Sequence, residues 1–364
     1  MKHKMIISGG GTGGHIYPAI SIANAIKEKH PDADILFVGA QGRMEMEKVP
    51  EAGYNIIGLP VMGMQRKLSL KIFGFAWKIL KSLRKADKII RNFSPDVVVG
   101  VGGYASGPML RKASRKGIPC LIQEQNSFPG ITNKLLARSV QTICVAYDGL
   151  EKWFPQEKIV FTGNPVRQDI TNIKHKAPEA MEFFGLDPEK PVLLVVGGSL
   201  GAKTINLAIA KSHKKIQNAG IQVLWQFGKY GVKIAEETIS PEDKYIKAFE
   251  FIHKMDYAFS VADVVVSRAG ASTISELCLV QKPSVLVPSP NVAEDHQRKN
   301  ALALVAKNAA VMVEDNEAVD KLADVAIDMI NDKSMQKMYA NNIKKFAKPE
   351  AANKIADEVL KLIP

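Results

Sequence analysis

The sequence predicts an α/β protein of two doubly wound domains with parallel sheets, and three observations carry that prediction. Short β-branched runs alternate with longer segments of helical period along the whole chain, which is the pattern of βαβ units. The series starts twice: "MIISGGGTGGH" (5–15) and "VLLVVGGSLGAKTIN" (192–206) each run an apolar strand into a glycine loop and a helix. Finally, 364 residues exceed the size at which a single hydrophobic core keeps growing.

Taken in order, the first series predicts strands at Lys4–Ser8, Ile35–Val38, Val97–Gly100, Cys120–Gln123, Thr142–Ala146 and Lys158–Thr162. The second predicts strands within 191–198, 221–228, 245–252, 262–270 and 283–290. The domains meet near "GNPVRQD" (163–169), giving a first domain over 1–164, a second over 165–345, and a helix over 346–364 that packs back on the first. Ligands in open parallel sheets sit beyond the carboxyl ends of the strands, so two facing domains are expected to hold a cleft between those ends.

Composition narrows the class. Hydrophobic residues at 46% and charged residues at 24% suit a soluble globular chain. Cys120, Cys144 and Cys278 have no metal-ligand spacing, and an odd count does not suit a disulfide framework, so a cytoplasmic setting is expected. No run of 18 apolar residues could span a bilayer, and "MKHKMIISGGG" enters a strand where a secretory signal needs an apolar core. The net charge of +12 is lopsided: residues 1–165 hold 23 Lys+Arg against 12 Asp+Glu, residues 166–364 hold 26 against 25. Such asymmetry points to an anionic partner, nucleic acid or membrane surface, for the first half, against the plainer reading of a solvated lysine-rich face. Without an aromatic-interleaved RNP-type or helix-turn-helix motif, a nucleic-acid module is set aside.

Gly9, Gly11 and Gly14 satisfy GxGxxG, but the second strand, "ILFVGAQG" (35–42), ends without the carboxylate that a dinucleotide ribose requires. Amides at a helix N-terminus, aided by the macrodipole, still suit a diphosphate. His15 then stands beside that anion site, with Pro18 expected in the first helical turn. "VVVGVGGYASGP" (97–108) is a second loop in the same domain and "GGSLGA" (197–202) a third in the other, so two phosphate-bearing ligands are expected, one per domain. None ends in GK[ST], which excludes a Walker-type ATPase.

In the second domain "SRAGASTISELC" (267–278) opens a helix near Ala271–Thr273 and puts Glu276 one turn in, where it either accepts from two ribose hydroxyls or closes a capping box with Ser272 or Thr273. "VPSPNVAEDHQRKNA" (287–301) crowds Glu294, Asp295, His296 and Gln297 at a strand end, suited to sugar hydroxyls or to capping the next helix.

Seven stretches occur together in order: "GGTGGHIYPA" (10–19), "GVGGYASGP" (100–108), "EQN" (124–126), "GNPVR" (163–167), "GGSLGA" (197–202), "SRAGASTISE" (267–276) and "EDHQRKNA" (294–301). Over about residues 5–360 they resemble the GT-B glycosyltransferases of family 28 that carry N-acetylglucosamine from UDP-GlcNAc to lipid I, undecaprenyl-pyrophosphoryl-MurNAc-pentapeptide, giving lipid II for peptidoglycan. A related glycolipid glycosyltransferase with a diacylglycerol acceptor is the alternative. The resemblance implies a GT-B fold with acceptor and membrane face on the first domain and the donor mainly on the second. It implies donor contacts from Thr12, Gly13, Gly14, Asn126, Arg167, Ser199, Ile252, Ala271, Ser272, Thr273, Ile274, Ser275, Glu276 and Gln297. Ile252 meets uracil through its backbone in that scheme, Glu276 holds ribose, Arg167 and Ser199 face the phosphates, and Asn126 and Gln297 approach the GlcNAc. Gly11, Gly102, Gly103 and Tyr104 take the acceptor diphosphate. His15 is the candidate base, or orients a phosphate or caps its helix, with Glu124 as a second candidate. One departure stands out, since Gln123 occupies a position that is often histidine in relatives.

The product of such enzymes is β-linked from an α-linked donor, which implies one in-line displacement and one base, a task suited to a group of pKa near 6.5. Departing charge falls to Arg167, amides near Ser199 and a helix N-terminus. No metal or other cofactor is required on this reading: the lone D-x-D, Asp32–Asp34, precedes a strand and reads as a turn.

The segment 65–91, "QRKLSLKIFGFAWKILKSLRKADKIIR", holds nine basic residues and one acidic. On a helical wheel Ile72, Ala76, Ile79, Leu83 and Ile90 form a core stripe, while Phe73 and Trp77 fall among Lys81, Arg84 and Lys88. Aromatics among cations suit an anionic membrane surface, against burial of both rings beneath the next element. The expected partners are thus UDP-GlcNAc, lipid I, an anionic membrane and other cell-wall synthesis proteins, at the cytoplasmic face of the inner membrane.

Overall fold

The computed structural model describes residues 3–61, 72–167, 170–171, 173–240, 243–292 and 295–363, with side chains of 72–76 outside that description. The chain divides into two compact units, Met1–Arg167 with Lys348–Pro364, and Gln168–Ala347.

Unit 1 is a seven-stranded parallel sheet of β1 (Lys4–Ser8), β2 (Asp34–Ala40), β3 (Asn55–Leu59), β4 (Val97–Gly100), β5 (Cys120–Glu124), β6 (Thr142–Val145) and β7 (Ile159–Phe161), in the order β3-β2-β1-β4-β5-β6-β7. Between them run α1 (Gly13–Lys29), α2 (Glu45–Glu51), α3 (Ile72–Phe93), α4 (Ser106–Arg115) and α5 (Ile131–Leu136). A strand covered on both faces must be apolar on both, and successive residues of β1 show it. Met5 and Ile7 pack with Ile22 and Ile26 of α1, whereas Ile6 packs on the other face with Met109 and Leu110 of α4.

Unit 2 repeats the plan with β8 (Val192–Val196), β9 (Gln222–Gln226), β10 (Ile246–Phe249), β11 (Val264–Ser267), β12 (Ser284–Leu286) and β13 (Val311–Met312), in the order β10-β9-β8-β11-β12-β13 and all parallel. Its helices are α6 (Pro178–Phe184), α7 (Lys203–Asn218), α8 (Val232–Thr238), α9 (Met255–Val261), α10 (Ala271–Val280), α11 (His296–Val305), α12 (Ala318–Asn331) and α13 (Lys333–Lys344). The chain then returns to unit 1 as α14 (Ala351–Lys361), whose Ile355, Ala356 and Val359 are fully buried in the core that α1 helps to form. Burying the Ile and Val side chains contributes about 1.5–3 kcal/mol each.

Three sequence expectations need correction. β3 and β13 were not expected: β3 is an edge strand pairing only with β2, and two residues of β13 carry no periodicity to read. Pro18 lies in the second turn of α1, since the helix starts at Gly13, so it withholds the amide that would reach the Gly14 carbonyl. In α3 the buried face is Ser82, Ala86, Ile89 and Ile90, while Ile79 is 41% exposed. Residues 77–81 are all exposed, so the stripe does not reach the core there, and the side chains of its Ile72 and Ala76 lie outside the described residues.

Candidate active site

Both sheets reverse their winding at their centres, unit 1 between β1 and β4 and unit 2 between β8 and β11. That switch point is where open α/β sheets hold ligands, beyond the carboxyl ends of the strands. Loops 9–12 and 101–105 leave β1 and β4, and loops 197–202 and 268–270 leave β8 and β11. Three helices begin there, α1 after Thr12, α7 after Ala202 and α10 after Gly270, and none has a side-chain cap. Most other described helices lack such a cap too, α13 with its Met335 N–H donating to Asp332 Oδ1 at 2.8 Å being an exception, so it is the place of these three starts that sets them apart. Helix starts without a side-chain cap, at the switch point, suit anionic groups.

The glycines of unit 1 make room for the protein itself as well as for a ligand. A Cβ on Gly103 (φ +83°) would lie 2.2 Å from the Gly10 carbonyl oxygen, and one on Gly102 (φ +91°) 2.8 Å from His15 Cε1. A Cβ on Gly10 would lie 2.2 Å from Glu45 Oε1. Glu45, 1% exposed at the start of α2, clamps this loop: the Gly11 N–H donates to both its oxygens at 3.1 and 3.0 Å, and the Ala40 N–H to Oε1 at 2.8 Å. The Gly11 amide that the sequence offered to a diphosphate is therefore engaged by a carboxylate of the chain, although the space around its Cα is open. Thr12 is exposed, Gly13 and Gly14 are half-buried, and Tyr104 is 54% exposed on the second loop.

His15 sits over this junction, its Nδ1 3.0 Å from Gln125 Oε1. The Gln125 amide is oriented by its own nitrogen, which donates to the Val101 carbonyl at 2.8 Å and to Gln123 Oε1. Its oxygen must then accept, so the network assigns the proton to Nδ1 and leaves Nε2 as the basic nitrogen. Gln123 Nε2 donates to Asn164 Oδ1 at 2.9 Å and Asn164 Nδ2 donates to the Gln125 carbonyl at 2.9 Å, closing a buried amide circuit. Gln123 is thus a member of the network that fixes the imidazole.

Glu124 is positioned for a different task from proton transfer. It is 2% exposed, and its oxygens accept from the Asn126 N–H (3.0 Å) and Nδ2 (3.2 Å), the Gly130 N–H (3.0 Å) and Asn133 Nδ2 (2.8 Å). With four donors on one carboxylate it anchors the loop that carries Asn126. Arg167 lies with its guanidinium carbon 5.1 Å from the Tyr17 ring centre, a cation–π contact one turn along α1 from Gly13.

In unit 2 a cavity of about 420 Å³ opens at the switch point, lined by Gly197, Gly201, Thr204, Arg268, Gln297 and Asp315 among others. Arg268 braces it, Nη1 donating to the Val287 and Pro288 carbonyls at 3.1 Å and pairing with Asp315, Nη2 donating to Thr204 Oγ1 at 3.0 Å. Gln297 Oε1 accepts from the Ser289 N–H at 2.9 Å, which leaves its amide N–H groups to donate. Ser199 lies on the loop after β8, its carbonyl accepting from the Lys229 N–H at 3.2 Å. The Ile252 N–H donates to Gln226 Oε1 at 2.9 Å, so a main-chain contact by Ile252 falls to its carbonyl. Ala271 and Ile274 turn into the core, while Ser272, Thr273, Ser275 and Glu276 are half-buried on α10. Gly270 is the N-cap there, so the capping-box reading of Glu276 with Ser272 or Thr273 does not arise. Asp295 does occupy the N-cap of α11, but in a left-handed conformation (φ 55°) and without a side-chain cap hydrogen bond, and Glu294 lies outside the described residues.

Asp34, of the D-x-D, opens β2 at the amino end of the sheet, away from the loops. Trp77 is 63% exposed and Lys81, Arg84 and Lys88 are exposed on α3; the Phe73 side chain lies outside the described residues.

The glycosyltransferase family 28 N-terminal domain matches residues 5–145, and the C-terminal domain of the same family matches residues 192–355. The chain belongs to glycosyltransferase family 28. Within the family it is 55% identical over 370 residues, covering 100% of this chain and 99% of the relative, to a Parabacteroides distasonis protein named UDP-N-acetylglucosamine–N-acetylmuramyl-(pentapeptide) pyrophosphoryl-undecaprenol N-acetylglucosamine transferase. A protein of the same name from Cytophaga hutchinsonii is 54% identical over 99% of this chain and 97% of its own. The crystal structure of Acinetobacter baumannii MurG superposes with a TM-score of 0.77 at 27% identity, over 99% of this chain and 100% of that one. The two parallel Rossmann-like sheets are thus those of a GT-B glycosyltransferase. Glu45, Tyr17, Gln125, Asn164, Arg268 and Asp315 were not among the residues expected at the site, although Tyr17, Gln125, Asn164 and Arg268 lie within the family stretches "GGTGGHIYPA", "EQN", "GNPVR" and "SRAGASTISE"; Glu45 and Asp315 carried no signal.

Proposed function

We propose that this enzyme transfers GlcNAc from UDP-GlcNAc to the C4 hydroxyl of MurNAc in lipid I, with inversion, to give lipid II. What carries this reading is full-length identity of 55% to a transferase whose name states both the sugar and the acceptor. No relative described above is named for a diacylglycerol acceptor.

His15 Nε2 takes the proton of the attacking hydroxyl as the C4 oxygen bonds to the anomeric carbon and the bond to the UDP oxygen breaks. The Gln125 contact supports this role, because it holds the ring in the tautomer a base needs. Such a base contributes about 10²- to 10⁴-fold. Arg167, the amides near Ser199 and the start of α10 meet the charge that develops on UDP, without a metal, and Glu276 accepts from the ribose hydroxyls. The acceptor diphosphate lies against Gly102, Gly103 and Tyr104, approaching over the open Cα of Gly11. Exposed Trp77, Ile79 and Leu80 beside Lys81, Arg84 and Lys88 support docking on anionic lipid at the cytoplasmic face, where each lysine or arginine contributes about 1 kcal/mol. No helix among the described residues is long and apolar enough to cross a membrane. Association with other cell-wall enzymes belongs to the same proposal.

The test is UDP release on adding a lipid I analogue, compared with diacylglycerol, in wild type and His15→Ala. Release with lipid I alone, lowered at least 100-fold in the variant, is expected. Equal turnover on diacylglycerol refutes the acceptor, and a fully active variant refutes the base.

A further inference from the structure

A second cavity, of about 360 Å³, lies in unit 2 at the end of the sheet away from the glycine loops. Its walls come from the amino ends of β11 and β12 (Asp263, Pro283), the C-terminus of α10, His175, and the first two turns of α13. None of its lining belongs to the site described above, and nothing in the proposed transfer reaction uses it.

The cavity is built around a buried lysine. Lys282 is only 8% exposed, yet its Nζ has no carboxylate in hydrogen-bond contact: it donates to the Ala262 carbonyl at 2.6 Å and to His175 Nδ1 at 3.0 Å. These contacts account for two of its three protons. Asp263 is the one carboxylate lining the cavity, and its Oδ2 is occupied by the Val192 N–H at 2.9 Å. Around it stand His175 Nε2 at 3.8 Å, Lys176 Nζ at 3.7 Å and Lys333 Nζ at 4.0 Å, all beyond hydrogen-bond reach, and Lys337 lines the same space. One buried carboxylate therefore shares the cavity with three lysines, Lys282 in its wall and the exposed Lys333 and Lys337, whereas Lys176 Nζ is engaged by the Pro188 and Lys190 carbonyls. Burying a cation whose hydrogen bonds go only to neutral acceptors is unfavourable, and a multiply charged anion on its third proton is the ligand that relieves it. Lysine ammonium groups bind phosphate as point charges. The volume exceeds what phosphate alone needs and lies in the range of small-molecule sites.

We propose that this cavity binds a phosphorylated small molecule of sugar size, its phosphate held by Lys282, Lys333 and Lys337 and its organic part in the remaining space. The occupant is a second ligand, distinct from the nucleotide at the switch point of the same unit. The phosphate raises the local negative charge beside Asp263, and Lys176, whose Nζ lies 3.7 Å from that carboxylate, offsets part of the repulsion.

The test is calorimetric titration of the full chain, saturated with UDP, against inorganic phosphate and against glucosamine 6-phosphate. UDP binding is measured first in the same cell, so failure of the donor-site reading is seen separately from failure of this one. The expected result is binding of both probes, tighter for the sugar phosphate, and at least tenfold weaker in Lys333→Gln/Lys337→Gln, whose substitutions are at the cavity mouth and leave Lys282 in place. Lys282→Met abolishes binding if it folds; if it does not, the double variant decides. No binding to the UDP-saturated wild type, or binding unchanged in the double variant, overturns the proposal. Binding of inorganic phosphate with no gain for the sugar phosphate overturns the assignment of an organic part.

Discussion

Replacing Glu45 by glutamine changes one oxygen to an amide nitrogen and removes one charge, and the clamp on the first glycine loop translates that into a number. Two main-chain donors depend on this carboxylate, the half-buried Gly11 and the buried Ala40. Hydrogen bonds to a charged acceptor contribute about 1.5–3 kcal/mol net against about 0.5–1.5 for a neutral one, so neutralisation costs about 1 kcal/mol per donor. With the glutamine oxygen in the place of Oε1, its NH₂ faces the Gly11 N–H, donor against donor, where Oε2 now accepts at 3.0 Å. The sum is about 2–3 kcal/mol, concentrated on residues 9–14. Native-state hydrogen exchange by mass spectrometry is the assay, because it reads local opening. At about 1.4 kcal/mol per decade, peptides covering 9–14 are expected to exchange at least roughly 30-fold faster, with those covering β8 and α7 unchanged. UDP release with a lipid I analogue falls in parallel, since Gly10 abuts the second loop and His15 stands over both. Unaltered exchange at 9–14 with reduced activity would refute the clamp and point to direct contact with substrate.

Three further outcomes follow from other parts of the molecule. Trp77→Ala is expected to weaken binding to vesicles containing anionic phosphatidylglycerol while leaving turnover of a soluble acceptor analogue unchanged; equal vesicle binding removes α3 from the membrane face. Burial pushes the Lys282 amine down to about 8, with Asp263 opposing the shift and Lys176 adding to it. As pH rises above 8 the folded chain releases this proton while the unfolded chain keeps it up to its ordinary 10.5, so stability rises across that window. The gain is up to about 3 kcal/mol, measurable in phosphate-free buffer as wild-type urea stability minus that of Lys282→Met; a flat difference from pH 8 to 10 refutes it. Burial also raises the thiols, Cys120 and Cys278 to about 12 and Cys144 higher still, so none is expected to react with iodoacetamide at pH 8 until the chain is denatured. Rapid native labelling of any one contradicts its burial.

Where one local pattern decides structure, the sequence was readable. β1, β4 and their glycine loops, and the start of α10, stand where apolar runs and glycines placed them. What a glycine is for is not a local question. The same absence of a side chain leaves open space at Gly11, admits a backbone contact at Gly103 and a buried carboxylate at Gly10, and only the fold separates the three. His15 and Gln125 meet across 110 positions, and Arg268 and Asp315 across 47, distances over which no periodicity speaks. Glu45 looked like any acid in an amphipathic helix, because its value lies in the orphan amide it faces.

The return of α14 to unit 1 has a consequence for biosynthesis. The unit whose strands leave the ribosome first lacks Ile355 and Val359 until every residue of the other has been made. Its hydrophobic seam beside α1 stays unsealed through the translation of some 180 intervening residues, exposing it to chaperones. A nonsense mutation just before Ala351 would then cripple the unit that holds His15 while sparing the half nearest to it in the gene.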